Sequence, residues 1–94
     1  MTSEEAEEIA TRIERGDTYR ESIFEGSIEV AYVDGEFLEH DYQHNPYGGP
    51  DVDKTQRLTR QQLVDFMKVR DRDDVTRSLD GGWSILGACR DPQS

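Results

Sequence analysis

A single cysteine, Cys89, stands in the 94 residues. That excludes an internal disulfide and leaves the fold independent of oxidation. It also leaves a structural zinc site short of ligands, since four thiolate or imidazole groups are needed. Long apolar runs are missing too, which excludes a membrane-spanning helix. The acidic start Met1-Thr2-Ser3-Glu4-Glu5 does not read as a signal peptide, so a cytoplasmic location is the default expectation. Large apolar side chains are few: Leu, Ile, Val and Phe make up about a fifth of the chain, at the edge of the disordered range. So thin a supply excludes a deep enclosed catalytic cavity and predicts one small domain, residues 1–88, with a flexible tail at 89–94.

Positive charge is the other scarcity. The formal net charge is −10, with two lysines against nine arginines. Its distribution is uneven. Residues 16–53 carry Asp17, Glu21, Glu25, Glu29, Asp34, Glu36, Glu39, Asp41, Asp51 and Asp53 against Arg20 alone, whereas residues 54–94 are slightly basic. A middle segment this acidic repels nucleic acid and anionic membranes. Salt adaptation or solubility is the plainer explanation, but it predicts an even spread of acid rather than this concentration.

The local patterns predict an α+β fold. Ala6, Ile9, Ala10 and Ile13 form one helical stripe, opened by a Thr2/Glu5 capping box and closed at Gly16. A three-stranded antiparallel meander follows: residues 19–25 ending at Gly26, then 27–33, the Asp34-Gly35 turn, and 36–44. Ile28, Val30 and Tyr32 share a face. Because buried carboxylates are costly, Leu38, His40 and Tyr42 are expected to join them, leaving Glu29, Glu39 and Asp41 together in solvent. The alternative register buries Phe37, Glu39 and Asp41 instead. Residues 44–56 read as a Pro- and Gly-punctuated loop. A second helix opens at Thr59 with Gln62 three residues later, Leu58 stapling onto Leu63, and Leu63, Phe66 and Met67 in its stripe. Asp73 is expected to cap a short third helix carrying Val75 and Leu79. Trp83, Ile85 and Leu86 read as an edge strand or an arm. Both longer helices are expected on one sheet face, with the other face wet and acidic.

Catalytic and metal motifs are weak. His40 and His44 on one strand would be about 13 Å apart, too far to share an ion. Asp51-Val52-Asp53 lacks the length and the closing Glu of a calcium loop. Neither Gly pair precedes a Lys-Ser/Thr, and no Gly-x-Ser-x-Gly elbow is present. The reading is therefore of a non-enzymatic protein with no catalytic residue, no cofactor and no metal. Residues 59–80 could form a helix-turn-helix with Arg60, Lys68, Arg70, Arg72 and Arg77 on phosphates, although Asp65, Asp71, Asp73 and Asp74 offset that charge.

The acidic sheet supplies the leading expectation. Carboxylates two apart on a strand, such as Glu39 and Asp41, lie about 6.7 Å apart, comparable to successive phosphates of one nucleic-acid strand. With Glu21, Glu25 and Glu29 extending the row, the sheet would block a basic, nucleic-acid-binding surface on a partner protein. Tyr32 or Tyr42 would serve as aromatic anchors if the register is reversed. In size and charge alone the chain resembles small inhibitors that imitate DNA, a device of phage and mobile-element counter-defence proteins. The alternative is a salt-adapted structural or regulatory subunit that dimerises through its apolar sheet edge or the Trp83 arm.

Overall fold

The computed structural model describes residues 1–80. Its order is α1 (Ser3–Glu14), β1 (Thr18–Ile23), β2 (Gly26–Val33), β3 (Glu36–Gln43), β4 (Val52–Leu58), α2 (Arg60–Lys68), α3 (Arg72–Ser78) and β5 (Leu79–Asp80). The α+β class is as expected, but the sheet is larger. A four-stranded antiparallel meander gains a two-residue fifth strand on its β1 edge, in the order β4-β3-β2-β1-β5. Residues 89–94 and the Trp83, Ile85 and Leu86 arm lie outside the described residues.

Both longer helices begin where local chemistry places them. Thr2 accepts from the Glu5 amide while the Glu5 side chain accepts from the Thr2 amide, and Thr59 and Gln62 repeat the arrangement. Each box satisfies two amides that have no partner within the helix. Asp71, rather than Asp73, caps α3 by accepting from the Asp74 amide. At the other end of α2, the terminal ammonium of Met1 donates to the carbonyls of Lys68 and Arg70, a cation at the negative end of a helix.

The helices cover one sheet face. Ala6, Ile9, Ala10 and Ile13 of α1 meet Leu63, Val64 and Met67 of α2, Val75 of α3, and Tyr19, Val30 and Phe37 of the sheet. Removing large side chains such as Ile13, Leu63 and Met67 from water contributes roughly 1.5–3 kcal/mol each. The small Ala6 and Ala10 let α1 lie close to its neighbours.

Register departs from the expectation. Asp34 (φ 52°) and Gly35 (φ 84°) form a two-residue turn of the primed type, which pairs Val33 with Glu36. Tyr32 therefore pairs with Phe37, Val30 with Glu39 and Ile28 with Asp41. Phe37, Glu39 and Asp41 lie on the helix-covered side, whereas Leu38, His40 and Tyr42 lie on the other. Placing Leu38 beside Tyr32 would have required a three-residue loop. Turn geometry outweighed the cost of burying carboxylates.

The loop expected at 44–56 is shorter, because residues 52–58 form β4 and pair along their whole length with β3. All but Leu58 are exposed. Such a strand is held by its backbone ladder and carries no apolar alternation for a sequence reading to detect.

The second face is not wet at its centre. Thr18, Glu29, Ala31, Val33 and His40 are buried there, and Ala31 and Val33 form a small apolar cluster against Leu38.

Candidate partner-binding surface

The five carboxylates expected to form one row are divided among three environments. Glu21 faces the helices and accepts from Tyr19 Oη at 2.7 Å and from Arg70 Nε at 2.8 Å. Arg70 holds the carboxyl of Glu21 below its usual range, and Tyr19 assists. Burial, reinforced by Glu21, pushes the Tyr19 phenol up to about 12. The Arg70 guanidinium also lies 3.7 Å from the centre of the Phe66 ring. Tyr19, Glu21 and Arg70 line a groove of about 640 Å³ between β1 and the α2–α3 junction.

Glu39 and Asp41 lie on the same side. Glu39, only 8% exposed, accepts from Gln56 Nε2 at 3.0 Å. Burial raises its carboxyl above the usual range, and the neighbouring Asp41 adds to the shift. One Asp41 oxygen is buried and, among the described residues, accepts no hydrogen bond.

Glu29 points to the opposite side of the sheet and is 1% exposed. Arg20 donates to it through Nε at 2.8 Å and approaches through Nη2 at 2.6 Å. His40 lies next to it, with Nδ1 4.0 Å from Glu29 Oε1 and Nε2 2.7 Å from Asp53 Oδ1. Only Glu25 is freely presented. It sits in the β1–β2 turn with φ 62°, where, among the described residues, no base pairs with it. The five residues therefore form no phosphate-like row. Three are turned inward and Glu21 is paired with Arg70.

A different acidic surface emerges at the loop end of the sheet. The Glu25 carbonyl accepts from the His44 amide at 2.7 Å, so the β1–β2 turn abuts the loop leading to β4. Within that loop Asp51 accepts from Tyr42 Oη at 2.8 Å and the Asn45 amide at 2.9 Å, and lies 3.1 Å from His44 Nδ1. The Asn45 amide, then Tyr42, hold the Asp51 carboxyl below its usual range. The Tyr42 phenol is raised, first by its bond to Asp51 and partial desolvation, then by the charges of Asp51, Asp53 and Glu25. Asp51 is bonded to the hydroxyl of this ring and Asp53 is its cross-strand neighbour, so negative charge gathers at this end of the sheet. Phe24 and Tyr47 stand out at the same end, 82% and 95% exposed. Sequence reasoning missed this group because its members come from separate turns. Its one early signal was Asp51-Val52-Asp53 beside the Tyr47 loop.

The aromatic anchors considered earlier are placed differently. Tyr32 packs edge-on against Phe37 at 4.9 Å, and Tyr42 holds the Asp51 loop. Each histidine meets its own aspartate, and the described residues contain no group of three or more His, Cys, Asp or Glu able to hold a metal ion. The bases of the expected helix-turn-helix are largely engaged. Arg60 meets Glu7 and Glu14, Arg70 meets Glu21, Arg72 approaches Glu5 and Glu8, and Arg77 pairs with Asp74. Little uncompensated positive charge is left there for a phosphate backbone. Among the described residues no helix is long and apolar enough to cross a membrane. Comparison of the chain with protein-family models, curated proteins and solved structures found no match.

Proposed function

We propose that the chain is a non-enzymatic acidic binding protein that docks on a basic protein surface of the kind that otherwise holds nucleic acid. The contact is made by the loop end of its sheet, with Glu25, Asp51 and Asp53 supplying negative charge and Phe24 and Tyr47 supplying aromatic anchors. The observation that carries this reading is the exposure of those two rings at the end of the sheet that also carries Glu25, Asp51 and Asp53. An exposed Phe is costly in water, and aromatic residues amid polar neighbours characterise protein interfaces. Charge at the rim speeds encounter and makes it salt-sensitive. An inhibitor that occupies a nucleic-acid groove would work in this way, using a compact acidic knob rather than a row along a strand.

The test compares partners captured from the native host by the wild-type chain and by the triple variant Phe24→Ala, Glu25→Lys, Tyr47→Ala. All three positions are at the surface, so folding is preserved. The expected result is recovery of nucleic-acid-binding proteins by the wild type, displaced by added duplex DNA and lost in the variant. An unchanged set of partners in the variant, or indifference to DNA, overturns the proposal.

A further inference from the structure

Among the described residues, β4 is the terminal strand of the sheet, and its outer edge pairs with no other strand. Strand edges with free amides and carbonyls invite pairing, and proteins usually blunt them with charge, proline or bulges. The edge of β4 carries charge, but in a pattern that reads as complementary to itself. Its sequence is Val52-Asp53-Lys54-Thr55-Gln56-Arg57-Leu58. Two copies placed antiparallel about a two-fold axis at Thr55 oppose Asp53 to Arg57, Arg57 to Asp53, Lys54 to Gln56 and Val52 to Leu58.

The faces agree with that alignment. Asp53, Thr55 and Arg57 pair with Tyr42, His40 and Leu38 of β3 and lie on the side away from the helices, whereas Lys54 and Gln56 lie on the helix side. A two-fold axis perpendicular to the sheet keeps each face continuous, so both Asp–Arg pairs form on one surface. The Asp53 and Arg57 side chains are 65% and 79% exposed and so remain within reach of a second chain. Slipping the register by two residues in one direction sets Lys54 against its own copy. Slipping it in the other carries Val52 and Asp53 past the end of the facing strand. The charge pattern thus selects one register, and opposite charges directly across a strand pair stabilise it.

We propose that β4 is a homodimerisation edge, joining two copies of this chain by antiparallel β4–β4 pairing centred on Thr55 into one continuous sheet. The interface is isologous, as a closed two-fold dimer requires. It shares Asp53 with the proposed partner contact, but its test reads the oligomeric state of the chain alone, so it stands or falls independently of that partner. Its small area and two rim ion pairs fit a weak dimer, with dissociation in the roughly micromolar range.

Sedimentation equilibrium across that range tests the proposal. The wild type is expected to pass from monomer to dimer with rising concentration. Asp53→Arg alone faces Arg57 with arginine, and Arg57→Asp alone faces Asp53 with aspartate, so each single variant is expected to stay monomeric. The double exchange Asp53→Arg/Arg57→Asp is expected to dimerise again, and so is an equimolar mixture of the two single variants. The double exchange also loses the contacts of Asp53 with His40 and of Arg57 with Glu36, so its recovery separates an interface effect from damage to the fold. A wild type that remains monomeric, or a double exchange that does not recover, overturns the proposal.

Discussion

Glu39 shows how one carboxylate can occupy a position that burial cost argues against. Its side chain is taken out of water among the helices, with Gln56 donating to it and Asp41 beside it. Both burial and Asp41 favour the protonated form, so the folded pKa lies above the unfolded one. A raised carboxyl pKa means that the native state holds its proton more tightly, and stability falls as pH rises from the unfolded value through the folded one. Replacing Glu39 by Gln keeps the acceptor for Gln56 and removes the charge. Glu39→Gln is expected to stabilise the fold at pH 7 by roughly 1 kcal/mol, the lower end of the cost of an uncompensated buried polar group. The gain should shrink near pH 4, where Glu39 is already protonated. Thermal unfolding at the two pH values checks this, and an equal gain at both would show that charge is not the cause.

Among the elements, the close approach of β2 to β3 has a single weak point. A Cβ built on Gly26 would lie 2.0 Å from the Tyr42 carbonyl oxygen and 2.9 Å from Gln43 Cα. Those are backbone atoms, which cannot swing aside as a side chain can. Gly26→Ala is expected to destabilise the chain by about 1–3 kcal/mol, the usual range for forcing extra volume into a packed site. Urea unfolding measures the change, and a loss below a few tenths would mean that the strands separate there at little cost. Gly26 was read from the sequence as a strand terminator. Its true role, the first residue of β2 facing Gln43, depends on a strand seventeen residues away.

At the scale of the whole molecule two electrostatic terms oppose each other. The net charge of −10 repels itself. Against this, arginines from the second half of the chain reach acids of the first: Arg60 to Glu7 and Glu14, and Arg70 to Glu21. Exposed pairs contribute little, typically below about 1 kcal/mol, and are screened by salt. The partly buried Arg70–Glu21 pair is screened less. Self-repulsion is therefore expected to dominate the response to salt, and added sodium chloride should raise the melting temperature. A melting temperature that falls with salt would mean instead that the cross-chain pairs outweigh the repulsion.

Features that close within a few residues were legible in the sequence. The Thr2/Glu5 and Thr59/Gln62 boxes, the α1 stripe and the Asp34-Gly35 turn each satisfy backbone groups or bury a face using neighbours along the chain. That turn also contained the strand register, since a two-residue loop pairs Tyr32 with Phe37, but the burial cost of Glu39 and Asp41 pointed the other way. Three things were decided only by tertiary structure. β4 forms because β3 offers it a complete backbone ladder, a gain that leaves no apolar trace in Val52–Leu58. The environment of each carboxylate depends on partners distant in the chain, as with Glu21 and Arg70, forty-nine positions apart. The loop-end group of Phe24, Glu25, Tyr47 and Asp51 exists because two separate turns meet through the His44 amide. Local hydrogen bonding sets where elements begin and end. Which charges meet, and which stay open to a partner, follows from how those elements pack.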